Sequence, residues 1–323
     1  MATDSSFGLF VPQLGMEPDE VLTAAQQAES AGFGSFWLMD HLYTPGAPAV
    51  PALESWTMLT AVATATSTLR IGHLVGCNPI RHPAVLAKMA ATLDRISAGR
   101  LDLGLGWGSV EDEFATFGFD VGTRRERSAR LAETIEIVRL MFGGQPFDYA
   151  GDHFTLRGAQ GSPTPVQPRV PIHIGGGGRR LTMPLVARHA DWWNCVGGAR
   201  PRFDELAPLR GDARISAQYA VGLVTDERMR AKVVERTGRR MPATSWGPPL
   251  VGSPEELRAM FLAEAERGVD LMIVRFHDRA EPDTIDVFGR EVIAPVQEVI
   301  GSARTDRRRD DDTNAEKETQ CDH

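Results

Sequence analysis

Apolar residues in this chain fall into short unbroken blocks, each followed by a stretch where they recur every three or four positions. The first rhythm belongs to buried strands and the second to amphipathic helices. Phe7 to Val11 (FGLFV) stops at Pro12 and predicts a first strand. Asp19 to Ala31 carries Val21, Leu22, Ala25 and Ala28 at helical spacing and stops at Gly32. Ser35 to Met39 predicts a second strand, closed by Asp40 and His41, and after the loop Thr44 to Pro51 a helix is expected from about Glu54 to Thr66. Leu69 to Gly76 is the third strand; Arg81-His82-Pro83 opens a helix towards Ser97, with proline tolerated in its first turn. Leu101 to Leu105 is the fourth strand and gives way to Gly106-Trp107-Gly108.

The alternation continues. Arg124 to Phe142 places Leu131, Ile135, Val138 and Met141 on one helical face. Gly143 to Pro168 breaks the rhythm, with a strand-like Asp152 to Leu156, and is expected to be an inserted hairpin over one end. Pro171 to Ile174, Trp192 to Val196, Ser216 to Val224 and Leu271 to Phe276 supply four more strands. Helices are expected at Leu181 to His189, weakly at Phe203 to Leu209, then at Asp226 to Arg236, Pro254 to Arg267 and Pro282 to Ile300, with Pro242 to Gly252 as loop. Eight strand runs alternating with helices predict an α/β fold of (β/α)8 TIM-barrel type with insertions, in one domain over residues 1–301. A doubly wound sheet would carry its glycine motif after the first strand rather than the fifth, and Gly106-Trp107-Gly108-Ser109 lacks the third glycine of a dinucleotide fingerprint. The charged tail over 302–323 predicts disorder.

Composition narrows the field. A net charge of −8 over 323 residues argues against nucleic acid as partner. Cys77, Cys195 and Cys321 are odd in number and widely spaced, so neither a disulfide framework nor a metal site is expected, and the histidines lack ligand spacing. No leader pattern opens the chain and no apolar run approaches a membrane span, so a soluble cytoplasmic protein without membrane partner is expected.

Candidate chemistry centres on Pro171 to Cys195 (PIHIGGGGRRLTMPLVARHADWWNC). Gly175, Gly176, Gly177 and Gly178 let the backbone approach a ligand closely, and the helix that follows aims its free N–H groups there. With Arg179 and Arg180 behind, the segment describes an anion cradle, most simply for phosphate; a plain strand–helix linker is the alternative. In a barrel the strand C-termini build the site. They offer Pro12 and Gln13, Asp40 and His41, Cys77 and Asn78, Trp107 and Ser109, Asn194, and Arg275 with His277. Asp40-His41 suits a capping aspartate with an exposed histidine or a proton-transfer group; Trp107 suits a plug at the mouth; Glu111, Asp112 and Glu113 suit a solvated helix start.

Four stretches taken together resemble the bacterial luciferase-like barrel flavoenzymes, in particular their coenzyme F420-dependent branch. They are FWLMDH (Phe36 to His41), LESWTMLTAVATATSTLRIG (Leu53 to Gly72), RHPAVLAKMAATLDRISAGRLDLGLGWG (Arg81 to Gly108) and PIHIGGGGRRLTMPLVARHADWWN (Pro171 to Asn194). The resemblance implies a deazaflavin ring lying across the strand ends beside Asp40 and His41. It implies a bulge within His73 to Asn78, often with a non-proline cis peptide, backing the ring through Val75, Gly76 and Asn78. Gly106 and Trp107 would flank the ring, while Gly175 to Gly178 and Arg179 would hold the phosphate. Sugar-phosphate dehydrogenases of the family carry a catalytic glutamate where this chain has Ser109, and a tryptophan where it has Thr44-Pro45-Gly46. Their full catalytic set is therefore not carried over. The expected function is hydride transfer between reduced F420 and a small organic substrate, with His41, or a tyrosine such as Tyr43, handling the proton. The alternatives are a two-component monooxygenase using reduced FMN and oxygen, and a non-catalytic flavin-binding protein. A homodimer is expected, with a flavin or F420 reductase as a conceivable electron source.

Overall fold

The computed structural model describes residues 5–302; the tail from 303 onward lies outside them. Eight parallel strands close into a barrel: β1 (Phe7–Val11), β2 (Ser35–Leu38), β3 (Arg70–His73), β4 (Leu101–Gly106), β5 (Ile172–Gly175), β6 (Trp192–Cys195), β7 (Arg214–Leu223) and β8 (Leu271–Phe276). β8 pairs with β1 in the register Gly8 to Ile273, which closes the ring. These strands read as unbroken apolar runs because both of their faces are covered. Alternate residues such as Leu9, Leu38, Ile172, Ile174, Met272 and Val274 point outward into the layer beneath the helices. Their neighbours Phe10, Trp37, Leu271 and Ile273 point inward and fill the lumen with Leu74. Deeper in the lumen, the His173 ring stacks on Trp192 at 5.1 Å and meets Trp37 edge-on at 5.0 Å. Between its two ends the barrel is a packed core.

The structure departs from the pattern in three places. The third strand does not run through to Gly76: β3 stops at His73, the Leu74–Val75 peptide is cis, and a two-residue strand, Gly76–Cys77, rejoins β4. The segment Pro242 to Gly252 is not plain loop, since Ala243–Trp246 is helical and Leu250–Gly252 pairs with Val221 to Leu223. β7 has ten residues and outruns its barrel neighbours, so its buried end needs another backbone partner. The seventh helix starts late, at Arg230–Arg240, after a 3-10 turn. The inserted hairpin is present as expected, formed by Phe147–Ala150 and Thr155–Ala159, and docks on helix Arg124–Phe142. The Glu133 carboxylate there accepts the N–H groups of Asp152, His153 and Phe154, and Tyr149 donates to Glu136 at 2.9 Å.

Candidate active site

A cleft of about 360 Å³ opens at the C-terminal ends of the strands. Asp40, His41, Val75, Gly76, Gly106, Trp107 and Gly175 to Gly178 all line it, together with Phe10, Met39, Ser109, Glu113, Gln218 and Trp246.

Asp40 lies two residues beyond β2 and is 3% exposed. Its carboxylate is saturated: Oδ1 accepts from Ser55 Oγ (2.6 Å) and Arg81 Nη2 (2.9 Å), Oδ2 from the Cys77 N–H (2.7 Å) and Arg81 Nη1 (2.6 Å). Burial pulls its pKa upward, but His73, which is charged in the acid range where Asp40 titrates, the Arg81 guanidinium and these hydrogen bonds prevail and hold it below the ordinary value. The group is thus an anchor tying the ends of β2 and β3 to the helix Ser55–Ala65. Beneath it, His73 is fully buried against Trp56 at 4.5 Å, and burial above all pushes its pKa down to about 4, so it is neutral near pH 7.

His41 stands differently. Its Nδ1 lies 2.8 Å from Glu113 Oε2, while Glu113 Oε1 accepts the Leu42 N–H at 2.5 Å. A carboxylate can only accept, so Nδ1 carries the proton and the imidazole presents Nε2 at the cleft. Glu113 was expected as part of a solvated helix start; Glu111 and Asp112 are exposed, but Glu113 is 0% exposed. The short helix Glu111–Thr116 packs its Phe114 inward, and the adjacent Glu113 is carried in with it. That single aromatic after three acids was the only signal in the sequence.

Across the mouth, Val75 projects into a space that glycines keep clear. A Cβ at Gly106 would come within 2.7 Å of Val75 Cγ2, and one at Gly175 within 2.8 Å of Val75 Cγ1. Beyond β5 the cradle turns at Gly176, whose φ of +128° suits glycine and whose carbonyl accepts from Trp193 Nε1 at 2.8 Å. The N–H groups of Gly177 and Gly178 have no partner among the described residues, and they sit ahead of helix Thr182–His189. Trp107 is more than a plug: it donates to Thr182 Oγ1 at 3.2 Å and so braces the cradle against β4, with Arg127 5.6 Å over its ring.

The family model described as luciferase-like monooxygenase matches residues 5–209. The chain belongs to that family. It is 32% identical over 202 residues to an uncharacterised protein of Mycobacterium tuberculosis, covering 57% of this chain and 69% of that one. It is 31% identical over 211 residues to the F420-dependent glucose-6-phosphate dehydrogenase of Amycolatopsis mediterranei, covering 63% and 62% respectively. Among solved structures, an F420-dependent secondary alcohol dehydrogenase in complex with an F420-acetone adduct superposes with a TM-score of 0.73 at 21% identity, covering 92% of this chain and 99% of that one. At that identity the likeness speaks for the fold.

Within this luciferase-like oxidoreductase, several expected site residues stand apart from the cleft. Asn78 is buried beneath it with Oδ1 unpartnered, and Arg179 turns outward to Glu205 at 3.2 Å. Tyr43 packs on Phe117 at 6.0 Å and does not line the cleft. Gln13 is fully buried and clamps the Met39 backbone, donating to its carbonyl at 2.6 Å and accepting its N–H at 3.0 Å. Asn194 is consumed by Ser216 and Gln218. Burial raises the Cys77 and Cys195 thiols to about 12, so neither supplies a thiolate nucleophile at neutral pH. Among the described residues no helix is long and apolar enough to cross a membrane.

Proposed function

We propose that this protein is a coenzyme F420-dependent oxidoreductase acting on a small organic substrate. The observation that carries the reading is the His41–Glu113 pair at the cleft, facing a glycine cradle across the barrel mouth. The residues present fit the cofactor. Unpaired N–H groups at Gly177 and Gly178, ahead of a helix, suit its phosphate, and the cleft floored by Val75 and Gly76 between Met39 and Trp107 suits a flat ring. When bound, the reduced deazaflavin supplies a hydride. Glu113 accepts from Nδ1–H, so the neutral His41 ring takes a proton at Nε2 when an alcohol is oxidised, and the imidazolium, its charge met by Glu113, gives that Nε2 proton back when a carbonyl, imine or alkene is reduced. Asp40 does neither; it sets where His41 stands. The names of the F420-dependent relatives support the cofactor assignment.

Fluorescence titration of the protein with F420 and, separately, FMN tests the reading. Tight F420 binding with weak FMN binding is the expected result. The reverse preference would replace this reading with the reduced-FMN monooxygenase, and binding of neither would leave a non-catalytic relative.

A further inference from the structure

A second cavity, of about 200 Å³, lies beside the main cleft between the ends of β1 and β8. Three arginines line it: Arg240 at the end of the helix after β7, Arg275 in β8, and Arg279 in the loop beyond. Leu271 and Ile273 belong to the lumen cluster, and Arg275 continues their alternate-residue row up to the mouth.

Other arginines around the mouth meet carboxylates: Arg81 with Asp40, Arg127 with Glu111, Arg179 with Glu205 and Arg200 with Glu264. These three do not, among the described residues. Arg240 donates to the His277 carbonyl at 2.8 Å, Arg279 to the Gly15 carbonyl at 3.3 Å, and Arg275 lies 4.6 Å over the Trp246 ring with no hydrogen bond. Asp278, the nearest acid in sequence, already accepts from the Ala280 N–H and Thr284 Oγ1. Burial first, then the like charges of Arg240 and Arg279, push Arg275 down to about 10. Positive charge is concentrated here: Asp278 eases the charge on Arg240 from a distance, but no carboxylate among the described residues forms an ion pair with any of the three.

We propose that this pocket binds the anionic end of the substrate, a carboxylate or phosphate monoester, while the reacting carbon sits in the main cleft near His41. Guanidinium forks match both groups in geometry and charge. Phe10 lines both cavities, and Trp246 lines the cleft while supporting Arg275. The two rings lie 5.9 Å apart and give the substrate body an apolar wall, so an organic acid with an apolar or aromatic body fits best. In the ring of eight strands, β1 and β8 lie opposite β5, so this pocket does not compete with the glycine cradle.

The proposal rests on the oxidoreductase reading of the cleft, and its test separates the two. The full-length protein, with and without F420, is titrated calorimetrically with benzoate, phenyl phosphate and neutral benzyl alcohol. One anion is expected to saturate the protein while the alcohol does not, and the preferred anion identifies the group. Arg275→Gln should weaken that binding by ~10-fold or more, the scale of a lost charge-assisted hydrogen bond. Arg275→Lys should regain part of it, and the exposed Arg279→Gln should cost about 3-fold. F420 affinity should stay level throughout. Absence of saturable anion binding, or equal binding by wild type and Arg275→Gln, would overturn the pocket; failure of wild type to bind F420 would strike the cofactor reading instead.

Discussion

Asp40 and Glu113 are both buried carboxylates at the barrel mouth, yet the fold uses them in opposite ways. Asp40 spends both oxygens on groups of the scaffold: Ser55, the Cys77 N–H and the Arg81 fork. Glu113 gives one oxygen to the Leu42 backbone and the other to the ring that faces the cleft. Burial alone therefore does not mark a functional acid. What separates the two is whether a bond leads towards the place where a ligand would stand.

Substitutions can break this comparison. The largest effect is expected at His41 itself: His41→Ala should lower turnover by at least ~100-fold while F420 affinity stays within about threefold, checked by steady-state kinetics beside a binding titration. Unchanged turnover would remove His41 from the chemistry.

Asp40→Asn should act on stability instead. It removes the bidentate partner of the half-buried Arg81 and leaves only Glu54 at 3.3 Å, so a loss towards the lower end of the roughly 3–5 kcal/mol seen for broken buried pairs is expected, and urea unfolding would read it. An unaltered midpoint would show that the anchor is dispensable.

The same corner sets a pH dependence. His73 is held neutral with a pKa near 4 against an ordinary 6.5. On acidification the unfolded chain takes up that proton first. The contribution is therefore full above pH 6.5 and lost as the pH falls towards 4, on the order of 3 kcal/mol in all. Asp40, with its depressed pKa, adds a further loss in stronger acid. Chemical unfolding between pH 7 and 4 should show the slope in wild type and a shallower one in His73→Gln.

Glu113→Gln should be milder than His41→Ala, at roughly 10- to 100-fold in kcat, with a displaced pH–rate profile, because the imidazole loses its anionic partner and the one remaining acceptor oxygen must serve both His41 and the Leu42 N–H. A loss of stability with an unmoved pH profile would make Glu113 structural. Asp112→Asn, one residue away and exposed, should leave activity and stability within error.

Most of the barrel was legible because parallel strands covered on both faces leave unbroken apolar runs, as at Phe7 to Val11 and Leu271 to Phe276. His41 was legible because a histidine directly after a strand falls at the mouth of any such barrel. The direction of side chains in loops was not. Arg179 follows the glycines but swings to Glu205, and Glu113 sits among solvated acids but turns inward behind Phe114. The Leu250–Gly252 strand was hidden for another reason: it exists to satisfy the overhanging end of β7, a need visible only once strand lengths are compared in space.

The packed rings of Trp37, His173 and Trp192 have a consequence for traffic. They seal the lumen below the cleft, which becomes a cul-de-sac. A ligand of the cleft would therefore enter and leave at the strand ends, and if cofactor and substrate both bind there as proposed, ordered kinetics with the larger group first in and last out is the expected outcome of initial-rate measurements.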